Sequence, residues 1–181
     1  MDEISLSKLT PAALRLSHAE YFLDQYRAHM GPPIDSYWLM IGYFDAFLFA
    51  LASVFDMSDR RLRGKFKGNQ PLSFFVALRN ITAHHSVLAS SGLGSKFARP
   101  FSRAVGLSAG GPPNDSSRLF FRLDVLERIL DAVLIEWPKA EKNVKAAKRH
   151  IEMLRRQPGR IYIEDQMQHA LEAARQLCVG A

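Results

Sequence analysis

One long apolar segment constrains the fold of this chain more than any other feature. It runs from Tyr37 to Phe55, and its only charged residue is Asp45. Its length is close to the roughly 20 residues that an α-helix needs to cross a bilayer. A carboxylate at the centre of a bilayer costs at least a few kcal/mol, however, and the rest of the chain is basic. We therefore expect a core helix over about residues 35–56 and no membrane partner, with a membrane span or a surface anchor as the alternatives.

Size and cysteine content narrow the class of protein. The chain has 181 residues, which is most simply one domain covering residues 1–181. The single cysteine, Cys178, excludes an intrachain disulfide and a thiolate metal cluster. The first residues, Met1-Asp2-Glu3, do not begin an apolar signal segment. These features favour a reducing compartment and predict a cytoplasmic protein.

Apolar periodicity and helix-ending residues divide the chain into six predicted helices. They cover approximately residues 11–29, 35–56, 71–88, 124–137, 139–157 and 163–177. Thr10 is the expected N-cap of the first helix, and Asp124 is the expected cap of the fourth. Strand patterns are nearly absent, and only residues 118–123 have the pattern of a short extended segment. The predicted fold class is all-α, a single-domain bundle of five to six helices.

Two further segments are predicted to be irregular. Residues 59–70 hold five basic residues, one acid and two glycines, which is typical of a basic loop. Residues 90–117 are rich in glycine and proline and are expected to form a flexible loop with a short helix over about 101–105. Loops of this length in compact domains are often mobile or functional.

The positive charge is concentrated in the predicted helix 139–157 and the turn after it. From Lys139 to Arg160 there are eight basic and two acidic residues, a difference equal to the formal net charge of +6 for the whole chain. One interpretation is the solvated outer face of a helix. The other is a surface that neutralises RNA or DNA phosphates, whose binding would depend strongly on salt. On that interpretation the RNA-binding residues come from this helix and the basic loop: Lys142, Lys145, Lys148, Arg149, Arg60, Arg61 and Arg63.

The predicted helix 71–88 is apolar on two sides. At about 100° per residue, a narrow core stripe contains Phe74, Leu78, Ile81, His85 and Leu88. A helix with two apolar sides is buried on both, so we expect one side to face the core and the other to face a second copy in a homodimer. That second side is made of Val76, Asn80, Ala83, His84 and Val87, with Arg79 at its margin.

The segment Arg79-Asn80-Ile81-Thr82-Ala83-His84 resembles the signature of the HEPN superfamily. In that signature an arginine, often followed directly by asparagine, precedes a histidine by four to six intervening residues. The resemblance covers residues 73–88 and the general all-helical architecture. It implies a metal-independent endoribonuclease of the toxin or defence type, with a composite active site at a homodimer interface and no cofactor or metal.

The same resemblance assigns roles to three residues. His84 would be the general acid/base, because its reference pKa of about 6.5 suits proton transfer near neutrality. Arg79 would hold the scissile phosphate, and Asn80 would orient His84 or the phosphate. The ribose 2′-hydroxyl would be the nucleophile, so the product would carry a 2′,3′-cyclic phosphate and DNA would resist cleavage.

RNA is therefore the expected partner, and an antitoxin or regulatory protein is a further one. Ser86 stands where toxins inactivated by nucleotidylation carry a tyrosine, which argues against a nucleotidyltransferase antitoxin. Asp45 and His85 are candidates for supporting roles beside the motif. Asp45 would need a partner if buried, and Arg79 could supply it, whereas His85 lies within the apolar stripe. The alternatives are a non-catalytic HEPN-like module for nucleic-acid or nucleotide binding or assembly, and an all-α interaction domain without a family link.

Overall fold

Helices form most of the chain in the computed structural model, which describes residues 10–30, 36–89, 105–107 and 118–179. Within these ranges there are seven α-helices, a single turn of 3₁₀-helix over Pro138–Ala140, and one pair of short strands. The predicted all-α class is confirmed, and the helix count exceeds the prediction by one. The elements are α1 (Pro11–Ala28), α2 (Ser36–Met57), α3 (Arg60–Gly68), α4 (Gln70–Ala89), β1 (Val105–Leu107), β2 (Leu119–Phe121), α5 (Leu123–Glu136), α6 (Glu141–Leu154) and α7 (Ile163–Val179).

The first helix begins as its sequence predicts. The Thr10 hydroxyl accepts a hydrogen bond from the Ala13 backbone N–H at 3.2 Å, and Pro11 occupies the first turn, where no backbone donor is needed. Helix α1 then packs along α2. It buries Leu16, Ala19, Leu23 and Tyr26, which repeat at intervals of three and four.

The apolar helix α2 is the centre of the core, as predicted. It contacts α1, α3, α4 and α7. Its stretch Leu39–Met57 has the length and composition of a membrane helix, and half of that stretch is buried inside the bundle. A buried core helix has the same composition as a membrane helix. Edge-to-face contacts connect α2 with α4 and β2, with ring centroids 5.6–6.3 Å apart, through Phe44, Phe47, Phe74, Phe75 and Phe121.

The predicted basic loop over residues 59–70 is wrong, because most of it is helix α3. The Asp59 carboxylate accepts a hydrogen bond from the Leu62 backbone N–H at 2.7 Å and caps the helix. Leu62 and Phe66, four residues apart, are both buried against the bundle. This burial stabilises a short helix despite the glycines at 64 and 68, whose intrinsic helix propensity is poor. The basic side chains are thereby placed on the outer side of a defined element.

The strand pair explains the predicted extended segment at 118–123. β2 pairs antiparallel with β1, with Val105 opposite Phe121 and Leu107 opposite Leu119. Val105 was expected at the end of a short helix over 101–105, and the structure places it in β1 instead. The other residues of the predicted loop 90–117 lie outside the described residues.

The expected cap of the fourth helix is also corrected. Helix α5 begins at Leu123 with Arg122 in the N-cap position and no side-chain cap, so Asp124 lies inside the first turn. At this position the negative Asp124 carboxylate interacts favourably with the positive end of the helix dipole. The carboxylate also accepts a hydrogen bond from Arg128 at 3.3 Å. The restart predicted at Pro138 is confirmed by the 3₁₀ turn before α6.

Helix α6 buries one apolar stripe against the bundle. All five residues of the predicted apolar stripe are buried, namely Ala140, Val144, Ala147, Ile151 and Leu154. Helix α6 packs extensively against α4, on which α2 and α7 also pack. On the second side of α4, which was expected to face a second copy, Val76, Asn80 and Ala83 are only partly buried. The homodimer therefore stays a prediction. Beyond α6 the backbone turns at Gly159, whose φ of +87° favours glycine, and α7 follows.

Candidate active site

Arg79 and Asn80 lie side by side on α4 and are bonded to each other. The Arg79 Nη1 group donates to Asn80 Oδ1 at 2.9 Å. The Nη2 group donates to the Asp56 carboxylate at 2.8 Å, and the guanidinium lies 5.7 Å from the centre of the Phe49 ring. The Arg79 side chain is 24% exposed. Three neighbours thus hold the guanidinium in one orientation at the edge of the bundle.

The ion pair with Asp56 neutralises the charge of Arg79, but another anion can replace the Asp56 carboxylate. The Asp56 side chain is 51% exposed, so water screens the pair and its net contribution to stability is small. Arginine binds phosphate oxygens through the same planar N–H groups that it offers to a carboxylate. A phosphate could therefore replace Asp56 without any movement of the Arg79–Asn80 contact.

The two motif histidines have a defined backbone position only. His84 and His85 belong to α4 and follow Arg79 by about one and a half turns. Their side chains, and those of Val87 and Leu88, lie outside the described residues. The structure therefore assigns Arg79 and Asn80 to one cluster and fixes the helix that carries His84.

Asp45, the candidate supporting carboxylate, is half-buried and lies on α2 three turns before Asp56. The arginine considered as its partner, Arg79, binds Asp56 instead, because the last turn of α2 is the part that meets Arg79 on α4. Asp45 lines a different feature of the surface, the open groove between α1, α2 and α4.

This groove, the α1–α2 groove, has a volume of about 570 Å³. Its α1 side carries Arg15, whose Nη1 group lies 3.4 Å from Nδ1 of His18. The motif residue Thr82 also lines it; this side chain is 6% exposed, and its hydroxyl has no hydrogen-bond partner among the described residues. Phe49, which contacts Arg79, forms part of the same groove. A groove lined by Arg15, His18 and aromatic side chains, and also by Asp45, therefore opens directly beside the Arg79–Asn80 cluster.

The predicted RNA-binding residues on α6 divide into two classes. Lys145 pairs with Glu141 at 2.6 Å, and Lys148 pairs with Asp131 at 2.5 Å, so neighbouring carboxylates compensate these two charges. Lys142 and Arg149 are exposed and have no carboxylate partner within the described residues. The basic face of α6 is thus less charged than its sequence alone indicates.

On α3 the three predicted arginines also differ. Arg63 donates to the backbone carbonyls of Ser58 and Asp56, at 2.7 Å each, and so stabilises the end of α2. Arg60 and Arg61 are exposed on the surface of the helix. Arg63 has a structural role, whereas the other two can contact a partner.

Sequence reasoning did not identify Asp56, Arg15 or His18. Asp56 lies 23 residues before Arg79, and no local spacing connects the two. Arg15 and His18 are three residues apart, which places them on one face of α1, but only the packing of α1 on α2 brings that face to the motif helix. No family model, curated protein or solved structure matches this chain. The site therefore rests on its own residues and their contacts.

Proposed function

We propose that this protein is a metal-independent endoribonuclease of the HEPN type, related to toxin or defence enzymes, which acts as a homodimer. The observation that supports it most is the position of the Arg79 guanidinium. Arg79 lies on the helix that carries His84, and Asn80 and Asp56 hold its guanidinium at the surface. This arrangement holds a preoriented cation that can exchange the Asp56 carboxylate for a phosphate, and a fixed cation of this kind stabilises the charge of phosphoryl chemistry.

In the proposed reaction, Arg79 leaves Asp56 and binds the scissile phosphate. The 2′-hydroxyl of the adjoining ribose attacks the phosphorus and loses its proton to a base, and the 5′-oxygen of the next nucleotide leaves with a proton. One histidine can perform one of these two proton transfers, and the His84 of a second copy can perform the other. The products are a 2′,3′-cyclic phosphate and a 5′-hydroxyl end.

The α1–α2 groove supports an RNA substrate beside this centre. A single-stranded RNA offers both phosphates and aromatic bases, and proteins hold it by combining cationic and aromatic side chains. Arg15 supplies positive charge on the α1 side of the groove, and the acidic residue Asp45 lies on the α2 side. Phe49 supplies an exposed ring. RNA bound along this groove would pass next to Arg79.

The experiment that tests the function is RNA digestion in excess EDTA. We expect the purified protein to cleave RNA, to leave 2′,3′-cyclic phosphate ends, and to spare an oligonucleotide whose ribose is replaced by 2′-deoxyribose at the cleaved position. Mass spectrometry of the fragments identifies the ends. Activity that requires a divalent metal, or products with a 3′-hydroxyl, would contradict the proposal.

The exposed ring of Phe49 predicts where the second copy binds. Phe49 is 43% exposed beside Arg79, and its ring offers apolar surface to a second copy. We expect Phe49→Glu to convert the dimer to a monomer in sedimentation at micromolar concentration and to reduce cleavage. The matched control is Ile135→Glu on α5, because Ile135 is 82% exposed and lies outside the site. A wild-type monomer, or equal effects of both variants, would remove the dimer from the proposal.

The second candidate is a non-catalytic module that binds nucleic acid. The ion pair between Arg79 and Asp56 favours it, since a carboxylate that competes with phosphate is a cost to an enzyme and acceptable in a weak binding site. RNA binding without cleavage of any RNA would select this candidate.

A further inference from the structure

A second recess lies on the other side of the motif helix, between α3, α4 and α6, and we call it the lysine recess. Its volume is about 250 Å³. Its floor is apolar and is formed by Phe55, Phe66, Val76, Ala77 and Ala146. Asn80 of the motif lines it as well, so the recess and Arg79 share one residue.

The charge that described residues bring to the lysine recess is positive. Within the part of the chain that the structure describes, Lys67 on α3 and Lys142 on α6 are the charged residues that line it. Among the described residues neither lysine forms an ion pair, in contrast to Lys145 and Lys148 of α6. The Lys67 ammonium lies 5.7 Å from the centre of the Phe55 ring, which holds it at the recess. Two uncompensated ammonium groups at one apolar recess attract an anion.

The neutral polar groups of the recess are suited to the same ligand. Asn80 uses its carbonyl oxygen to accept from Arg79, which leaves its amide N–H groups as donors. Asn143 and Ser73 add an amide and a hydroxyl. Lysine is a common ligand of phosphate because its compact ammonium acts as a point charge with three donors. The set therefore matches phosphate oxygens.

We propose that the lysine recess binds the backbone phosphates of the RNA strand next to the one held by Arg79. This inference rests on the proposed function, and it adds a direction for the strand. RNA would cross α4 at Asn80, from the Arg79 side to the recess between α3 and α6. It also connects two basic clusters that are about 80 residues apart in sequence, near residues 60–67 and 139–149. Lys67 belongs to the first cluster and Lys142 to the second, and both line this recess, so both clusters can bind one RNA strand.

The test measures binding of a fully 2′-O-methylated RNA, which cannot be cleaved, by fluorescence anisotropy over a salt series. We expect Lys67→Gln with Lys142→Gln to weaken binding at least ten-fold. The slope of log K against log salt should become shallower by about 1.4, since each neutralised phosphate of a single strand contributes about 0.7. The control is Lys145→Gln with Lys148→Gln, which removes the same charge from ion-paired positions and should change the affinity less than three-fold.

Equal losses in the two double variants would overturn the proposal, because they would show a general charge effect. Unchanged binding in the Lys67 and Lys142 variant would also overturn it, and so would a wild-type protein that does not bind this RNA. The failure of the nuclease function is distinguishable, since the 2′-O-methylated strand reports binding alone. Selective loss of binding in a protein that cleaves no RNA would support the recess and reject the catalytic role of the motif.

Discussion

Replacing His84 with alanine is expected to reduce RNA cleavage by roughly 10²- to 10⁴-fold, the contribution that general acid–base catalysis typically makes. Arg79→Ala should lower the rate by a similar factor, because it removes the cation that stabilises charge on the phosphate oxygens. Single-turnover rates at saturating RNA measure both effects, since they separate the chemical step from binding. Binding of 2′-O-methylated RNA should persist in His84→Ala.

The control for this comparison is His169→Ala, which removes an exposed histidine on α7 far along the chain from the motif. Arg79→Ala removes the donor to the half-exposed Asp56 carboxylate and to the partly exposed Asn80 side chain, both of which water can reach, so melting and circular dichroism should change little. Wild-type rates in either motif variant would reject the assignment. A large loss of stability would instead show that the side chain acts on the fold, and the rates would then be compared at lower temperature.

Helices were predicted correctly from the sequence where their apolar residues repeat at helical intervals along one side. In α6 and the turn before it, the positions 140, 144, 147, 151 and 154 repeat at helical intervals, and all of them are buried. Helix α3 was missed for the opposite reason. Its two glycines are poor helix formers, and its only apolar residues, Leu62 and Phe66, are too few to form a recognisable stripe in the sequence. Their burial against other elements stabilises the helix.

The candidate site was predictable only to the extent that it is local. The spacing of Arg79, Asn80 and His84 can be found in the sequence because all three lie on one helix. Asp56 and Lys67 meet that helix from α2 and α3, and their contacts exist only after the helices pack. The ion pair in which Asp131 compensates the charge of Lys148 likewise connects two helices, and its residues are 17 positions apart in the sequence. Charge counted along the sequence therefore overstated the basic face of α6.

One buried histidine could have been found from periodicity and was not. His150 follows Ala147 by three residues and precedes Leu154 by four, which places it on the buried stripe of α6. It is 3% exposed, and its ring packs against Phe74 of α4 with centroids 4.6 Å apart. It lies among the charges of the basic helix in sequence, but in the structure it belongs to the core.

Acid is expected to destabilise the protein through His150. Burial lowers the pKa of its imidazole from 6.5 to about 4, and the neighbouring Gln166 side chain opposes this shift only in part. Below pH 6.5 the unfolded chain therefore binds a proton that the folded chain does not bind until about pH 4. The contribution of His150 to the free energy of unfolding is fully present above pH 6.5. Below pH 6.5 the free energy of unfolding declines by about 1.4 kcal/mol per pH unit. The loss amounts to about 2 kcal/mol at pH 5, before most carboxylates titrate.

Urea denaturation of the wild type and of His150→Leu, at several values between pH 7.5 and pH 5, isolates this effect. Leucine keeps an apolar side chain against Phe74 and has no proton to bind, so the fall in unfolding free energy between pH 6.5 and pH 5 should be smaller by about 2 kcal/mol in the variant. The comparison uses the pH dependence rather than the stability at one pH, because the substitution also alters packing. Parallel pH profiles for the wild type and His150→Leu would show that His150 becomes protonated inside the folded core without cost.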